Sequence, residues 1–450
     1  MGLLERINSY IWGVPTLLFI LFVGLLLTVR TKFAQFRLFP MACRCFAEKL
    51  KPCKDAQGVS PFQALCTALA ATVGTGNIAG VAGAISIGGA GAVFWMWVCA
   101  LLGMVIKCAE AVLAIVFRKV DERGDYIGGP MYIMEMGLGK KWKPVAVLYA
   151  LFGVIAAFGV GNLTQLNAVL SGIHGVAGQY GYEISQKADV LIAAVIALFV
   201  GIFLWGGVKR IGHIAEFLVP YAAVLYVVMG AVVIILCYDQ IDNAFTAILK
   251  GAFCPRAVTG GVVGSVLVAC KTGASRGIFT NEAGMGTASI AHAASNVRRP
   301  LEQGLMGIIE VFLDTIVICT MTALVILCSG VFVPYGTDTG AELTSEAFCG
   351  ALGSWAGVMV TLCLVCFAFA TVIGWGVYGM RCAQYLFGDQ ILKPFMVMQV
   401  ITLLMGATLK TDVVWLLAES VNGLMAIPNL LALVKLTPVV AAELKGTVSK

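Results

Sequence analysis

Apolar runs long enough to cross a bilayer recur along the whole chain, with short polar stretches between them. They fall at about 14–30, 62–88, 92–117, 144–172, 188–206, 214–238, 259–292, 304–330, 355–386, 393–409 and 412–435, and roughly 20 consecutive apolar residues suffice for one spanning helix. The pattern predicts an all-α polytopic membrane protein with 11 transmembrane helices. Composition agrees, at 60% hydrophobic and only 12% charged residues, where a soluble protein carries about 25% charged. Arg30 and further cations follow the first run, and no small-residue cleavage site does, so it reads as a retained helix and not a signal peptide.

Two of the runs are interrupted by residues that make poor helix. Phe62 to Gly89 contains Ala71-Thr72-Val73-Gly74-Thr75-Gly76-Asn77-Ile78-Ala79-Gly80, and Gly in a helix interior costs about 1 kcal/mol relative to Ala, with Asn and Thr losing part of that each. Unwound backbone in hydrocarbon must be buried in protein or line a cavity, because its free N–H and C=O groups meet no water. The spacing of Gly76 and Gly80 also fits plain close helix packing. The side chains of Thr75 and Asn77, and a second interrupted run, favour a break. That second run, 260–293, carries Lys271, Gly273, Arg276, Gly277, Asn281, Glu282, Gly284 and Gly286.

With the first span set aside, the broken helices open each half of a five-plus-five arrangement. An odd number of spans per half gives the halves opposite topology, as an inverted repeat requires. The expected divisions are 1–55 for the first helix and a basic loop, 56–240 and 241–436 for the two halves, and 437–450 for a tail. A helix broken at the midplane offers amides to an anion and carbonyls to a cation. A zwitterionic amino acid suits that geometry, its carboxylate near Thr75, Gly76 and Asn77 and its ammonium near the carbonyls of Gly277, Ile278 and Phe279.

Charge changes the picture in two ways. Arg30 to Lys54 holds seven cations and Arg118 to Lys143 six, against only Arg6, Lys187, Lys250, Arg256 and Lys410 on the other side. This predicts an outside N-terminus and a cytoplasmic C-terminus in a cell membrane. The loop from Val331 to Ser354 has Asp338, Glu342 and Glu346 and no cation. Inside the spans, Lys107 has Glu110 one turn on, which predicts a structural pair, and Asp314, four residues after Glu310, is a functional candidate or a counter-charge for Lys271 or Arg276. The net charge of +6 sits in short loops and suggests no nucleic-acid partner, and no obligate protein partner is evident. Of the 15 cysteines, Cys99, Cys108, Cys270, Cys319, Cys363 and Cys366 fall in apolar spans and Cys43, Cys45 and Cys53 in a basic loop, without a metal-ligand pattern. They read as small buried thiols.

The run Ser60-Pro61-Phe62-Gln63-Ala64-Leu65-Cys66-Thr67-Ala68-Leu69-Ala70-Ala71-Thr72-Val73-Gly74-Thr75-Gly76-Asn77-Ile78-Ala79-Gly80-Val81 resembles the signature of the alanine or glycine:cation symporter family. The similarity continues through Gly128-Gly129-Pro130-Met131-Tyr132, Gly161-Asn162-Leu163-Thr164-Gln165, Gly277-Ile278-Phe279-Thr280-Asn281-Glu282-Ala283-Gly284, Phe369-Ala370-Thr371-Val372-Ile373-Gly374-Trp375 and Asn422-Gly423-Leu424-Met425-Ala426-Ile427-Pro428-Asn429. It implies a LeuT-like fold with one extra N-terminal helix, and sodium-coupled uptake of small neutral amino acids. It implies a substrate site at Thr75, Gly76, Asn77 and Gln165, walled by Phe279 and Trp375. It further implies a sodium site at the carbonyls of Ala70, Val73, Phe367 and Ala370 and the hydroxyl of Thr371. Ala370 stands where the family commonly has Ser or Thr, which removes one hydroxyl from that set.

Two other functions are to be weighed. Proton coupling would use Asp314 or Glu282 as relay. An intramembrane enzyme is disfavoured, because His174, His213 and His292 have no metal-ligand partner at i+4 and no nearby catalytic cysteine.

Overall fold

Helices account for nearly all of the chain in the computed structural model. It describes residues 6, 8, 11–50, 58–254, 259, 261, 265–337, 339–408 and 411–445, with backbone alone for 411–419. Lys51, Cys53, Lys54, Arg256, Asp338 and Lys410 lie outside the described residues, as does 446–450 of the expected tail. In order the helices are α1 Val14–Arg30, α2 Phe39–Lys49, α3 Pro61–Thr72, α4 Val81–Gly88, α5 Gly91–Val116, α6 Lys143–Phe158, α7 Thr164–Gln179, α8 Gln186–Leu204, α9 Gly207–Leu236, α10 Ile241–Phe253, α11 Val266–Asn281, α12 Thr287–Ala293, α13 Pro300–Val311, α14 Thr320–Cys328, α15 Ala341–Leu352, α16 Trp355–Phe387, α17 Leu392–Met405 and α18 Thr411–Lys445. π-Helical turns join α3 to α4 (Gly76–Gly80), α6 to α7 (Gly159–Leu163) and α13 to α14 (Phe312–Cys319).

Seven helices among the described residues are long and apolar enough to span a membrane, eight when the bent pair α3/α4 counts as one. The other expected spans correspond to shorter helices: α1, α17, and α11 with α12. The α3/α4 pair bends by 54°. Its start is fixed locally by a capping box, with Ser60 Oγ accepting from Gln63 N–H and Gln63 Oε1 from Ser60 N–H, and Pro61 at the first helical position.

Helix α16 runs through the middle of the molecule and packs on α3, α6, α7 and α9, while α5 packs on α11 and α13. The α5/α13 contact depends on small residues. A Cβ on Gly307 would stand 2.7 Å from the Lys107 carbonyl oxygen, and one on Gly304 2.6 Å from Val112 Cγ2. That approach brings Lys107 Nζ within 2.7 Å of Glu310 Oε1 in a fully buried pair. The sequence expectation of a Lys107–Glu110 pair is therefore corrected: the partner comes from another helix. His292 Nε2 lies 2.9 Å from Glu310 Oε2, and Gln303 Nε2 2.6 Å from His292 Nδ1. Lys271, offered as a counter-charge for Asp314, is exposed. The thiols of Cys99, Cys108 and Cys363 are buried among apolar neighbours, as expected, Cys270 and Cys366 are half-buried, and the buried Cys319 Sγ accepts from Asn77 Nδ2 at 3.4 Å.

Removing one member of a buried ion pair strands the other, at a cost of about 3–5 kcal/mol. Lys107→Met should therefore melt well below the parent in detergent, and Lys107→Met with Glu310→Gln should recover much of the loss, since Gln still pairs with His292. Equal melting temperatures for the single and double variants would contradict this account.

Candidate functional site

The first break is held open by its own asparagine. Gly74 N–H would donate to the Ala70 carbonyl in a continuous helix. Instead it donates to Asn77 Oδ1 at 2.8 Å, and Val73 leaves the helical region with ψ 105°. The Ala70 carbonyl thereby loses its helical partner. Asn77 Nδ2 donates to Asp314 Oδ1 at 2.8 Å and to the Asp314 carbonyl at 3.0 Å. The carbonyls of Asn77 and Ile78 accept from the hydroxyls of Thr322 (2.8 Å) and Thr344 (3.0 Å). Thr75, Gly76 and Asn77 open the second half-helix, and no side chain caps it, so their amides point at the break as a helix N-terminus does. The Asn77 side chain is committed to the fold, and only its backbone belongs to that open end.

Helices α7 and α16 close on the break from the other side. A Cβ on Gly74 would stand 2.9 Å from Thr371 Oγ1 and 3.8 Å from Gln165 Oε1, and one on Gly374 3.1 Å from Ala71 N. Thr371 Oγ1 donates to the Phe367 carbonyl at 2.9 Å, which leaves its oxygen lone pairs facing Gly74. Gln165 Nε2 donates to the Val160 carbonyl at 3.1 Å, while its Oε1 is buried and without a partner. A buried acceptor without a donor is costly. Here it is aimed at the unwound segment. Trp375 is fully buried, packs edge-on to Tyr378 at 5.6 Å and stands against Gly161, next to the Gln165 turn.

The second break falls later than the sequence suggests. Gly277, Ile278 and Phe279 all lie within continuous helix α11, and the Ile278 carbonyl accepts Glu282 N–H at 2.8 Å. The Phe279 carbonyl, however, loses its helical donor, because Ala283 N–H turns to Asn281 Oδ1 at 3.0 Å. Gly277 is a packing residue, with a Cβ there 3.3 Å from Met96 Cα. Phe279 packs edge-on against Trp12 at 6.4 Å, whereas Trp375 packs against Tyr378 at 5.6 Å. Unwinding runs from Glu282, which is left-handed at φ 53°, to Gly286 at φ 81°. Its amides are taken. Glu110 Oε1 accepts from Gly284 N–H and Gly286 N–H, both at 3.1 Å, and from Asn429 Nδ2 at 2.7 Å. Thr287 Oγ1 donates to Glu282 Oε2 at 2.6 Å.

The structure thus gathers Ala70, Val73, Thr75, Gly76, Asn77, Gln165, Phe367 and Thr371 around the first break; Ala370 and Trp375 flank that contact on α16, and Gly277, Ile278 and Phe279 lie on the helix that leads into the second break. Sequence reasoning did not single out Thr280 beside this break, Glu110 at the second, or Thr315 between them. Thr280 Oγ1 is where a Cβ on Gly76 would come within 2.9 Å. Thr280 lies in the glycine-rich part of the second interrupted run, whereas Glu110 and Thr315 sit in apolar spans with no such signal. Among the described residues, no group of three or more His, Cys, Asp or Glu is placed to hold a metal ion, so any cation here would rest on carbonyl and hydroxyl oxygens. About two turns along α7 and α16 from Gln165 and Thr371, Ser171, Gln179, Glu342, Glu346, Thr361 and Leu364 line a cavity of about 230 Å³.

Gly74→Ala places a methyl group against a Thr oxygen that cannot swing away while it bonds Phe367. The variant should lose stability by about 1–3 kcal/mol in a detergent melt. Adding Thr371→Ala should restore most of the loss, whereas adding Thr371→Ser should not. Equal rescue by both would show that the oxygen is not the obstacle.

The sodium:alanine symporter family model matches residues 1–449. The sodium/alanine symporter AgcS of Methanococcus maripaludis is 42% identical over 99% of this chain and 97% of its own length. A Haemophilus influenzae protein described as an uncharacterized transporter is 44% identical over 99% of this chain and 95% of its own. The crystal structure of MhsT in complex with L-phenylalanine matches with a TM-score of 0.60 at 16% identity, over 87% of this chain and 99% of that one, so the two share a fold. This chain is a membrane-spanning transport protein, not an enzyme, and it belongs to the sodium:alanine symporter family.

Proposed function

We propose that the protein carries small neutral amino acids, alanine and glycine, into the cell together with sodium, by alternating access. The observation that carries this reading is the pairing, across one break, of open amides at Thr75, Gly76 and Asn77 with the unpartnered Gln165 Oε1. A free amino acid has the matching pair of groups. Its carboxylate meets the amides, favoured by the half-helix dipole, and its ammonium meets Gln165 Oε1 in place of the Gly277–Phe279 carbonyls. Trp375 packed on Gly161 leaves little room beyond a hydrogen or methyl side chain, since added volume in a packed site is poorly tolerated.

Sodium is assigned to the other end of the same break. The Ala70 carbonyl, freed when Gly74 N–H turns to Asn77, and the Val73 carbonyl face α16. There Thr371 Oγ1 and the carbonyls of Phe367 and Ala370 complete a set of neutral oxygens, which suits a hard monovalent cation. Ala370 contributes no hydroxyl. Sodium and substrate then share Gly74 as a common wall, so each favours the other's binding, reciprocally. The 11 spans, five-plus-five inverted halves and an outside N-terminus are part of this reading, and the cation-rich loops support the orientation.

Uptake of labelled alanine into proteoliposomes tests it, with an inward sodium gradient and then with potassium in its place. Gln165→Leu removes a hydrogen bond to a charged group, worth about 1.5–3 kcal/mol, and should cut uptake about ten- to hundredfold with membrane insertion unchanged. Thr371→Ala should raise the sodium concentration needed for half-maximal uptake. Uptake driven equally by a pH gradient without sodium would overturn the sodium assignment and move coupling to Asp314 or Glu282.

A further inference from the structure

An unbroken line of hydrogen bonds joins the two broken helices through a third. It starts at Gly74 N–H, which donates to Asn77 Oδ1 at 2.8 Å. Asn77 Nδ2 donates to Asp314 Oδ1 at 2.8 Å. Thr315 Oγ1 donates to Asp314 Oδ2, also at 2.8 Å. Asn281 Nδ2 donates to Thr315 Oγ1 at 3.1 Å, and Asn281 Oδ1 accepts Ala283 N–H at 3.0 Å. The side chains of Asn77, Asp314, Thr315 and Asn281 are all buried. Each asparagine spends its oxygen on an amide freed by the break in its own helix. Each spends its nitrogen on the π-helical turn Phe312–Cys319, where Asp314 and Thr315 stand side by side.

The direction of the donors gives the line its specificity. The Asn77 and Thr315 donors both point into Asp314, so its carboxyl must accept at both oxygens. No residue of the line can turn without leaving a buried donor or acceptor unpaired, and such networks are stiff when complete. We propose that this strap makes the two breaks move as one unit, with Asp314, Thr315 and Asn281 acting as positioning residues for a site at Gly74 that Thr315 and Asn281 do not touch. The inference rests on the reading of that site as the substrate and sodium site. It extends the reading by naming what ties Ala283, which contacts neither ligand in that reading, to the residues that do.

The experiment uses full-length protein in lipid nanodiscs and proteoliposomes. Thr315→Val removes the hydroxyl at constant shape and cuts the line in the middle. Amide hydrogen exchange, which reads local opening, should rise about tenfold or more at Ala283 and also at Gly74, three hydrogen bonds away, and Thr315→Ser should restore protection at both. Alanine uptake by Thr315→Val should show a Michaelis constant raised about tenfold with the maximal rate within about twofold of the parent, because saturating ligand restores a depleted binding-competent state. Asn281→Ala cuts the line at its far end and reports at Gly74 in the same way should Thr315→Val fail to fold. Unchanged exchange at Gly74 in a folded Thr315→Val or Asn281→Ala variant overturns the strap. Absence of alanine uptake by the parent protein would sink the function reading instead, and the exchange measurement would still decide the strap.

Discussion

A peptide N–H inside a membrane protein must find an acceptor, and at Gly74 that acceptor is Asn77 Oδ1. Much of the site follows from this one bond. With Gly74 turned to Asn77, the Ala70 carbonyl is released and the next amides form a fresh helix end. With its oxygen used, Asn77 needs an acceptor for its nitrogen, and the buried Asp314 supplies it. The π-helical turn that follows exposes the carbonyls of Asn77 and Ile78, and Thr322 and Thr344 satisfy them from α14 and α15. An unwound segment with no water is thus fully serviced by three other parts of the chain, apart from the groups turned toward Thr371 and Gln165. Those unserviced groups are the ones available to a ligand.

The two breaks look alike in sequence and differ in chemistry. At the second, Glu110 already occupies the N-terminal amides of α12, with Asn429 fixing the carboxylate. An anion arriving there would have to displace a built-in one. At the first, no carboxylate among the described residues bonds the amides, and Asp314 is turned to the Asn77 side chain. This difference is why the proposed reading puts the anion at Thr75–Asn77. The same economy governs Lys107. Its charge is neutralised chiefly by Glu310, which also holds His292 and, through it, Gln303, and it lies near enough to Glu110 and Glu282 to attract the carboxylates of the second break as well.

Sequence alone revealed that two helices break, because Gly, Asn and charged residues in the middle of an apolar run each work against a continuous helix in hydrocarbon. It placed both breaks within their glycine- and polar-rich runs, but took the packing residue Gly277 as part of the second opening. Gly277 fulfils a packing requirement against Met96, whereas Gly284 and Gly286 fulfil a conformational one at positive φ, and a bare Gly does not declare which it serves. Partners separated by hundreds of positions were equally illegible. Glu110 lies one turn from Lys107 on its own helix, yet the close approach allowed by Gly304 and Gly307 delivers Glu310 instead. Phe279 and Trp375 were paired through family likeness, but Phe279 faces the extra N-terminal segment at Trp12. A helix surrounded by other helices has more than one buried face, and an aromatic residue does not announce which face it occupies.

The two ends of the molecule are closed differently, and this bears on how the breaks would move. Beside α7, α15 and α16 a cavity of about 230 Å³ approaches the level of Gln165. At the other end the backbone is latched. Val59 N–H donates to the Ala294 carbonyl at 3.0 Å, Asn296 N–H donates to the Val59 carbonyl at 2.8 Å, and the Arg118 guanidinium grips the carbonyls of Ser295 and Val297. Val59 stands just before Ser60, the N-cap of α3, and Ala294 immediately follows α12. The latch therefore joins the outer ends of the two broken helices, just as the Asn77–Asp314–Thr315–Asn281 line joins their centres. A movement that opens this end must release Val59 from Ala294 and swing both half-helices. With their centres tied through Asp314, the cheapest way to do so is to carry the two together, because moving one alone would strand buried hydrogen-bonding groups at the Phe312–Cys319 turn.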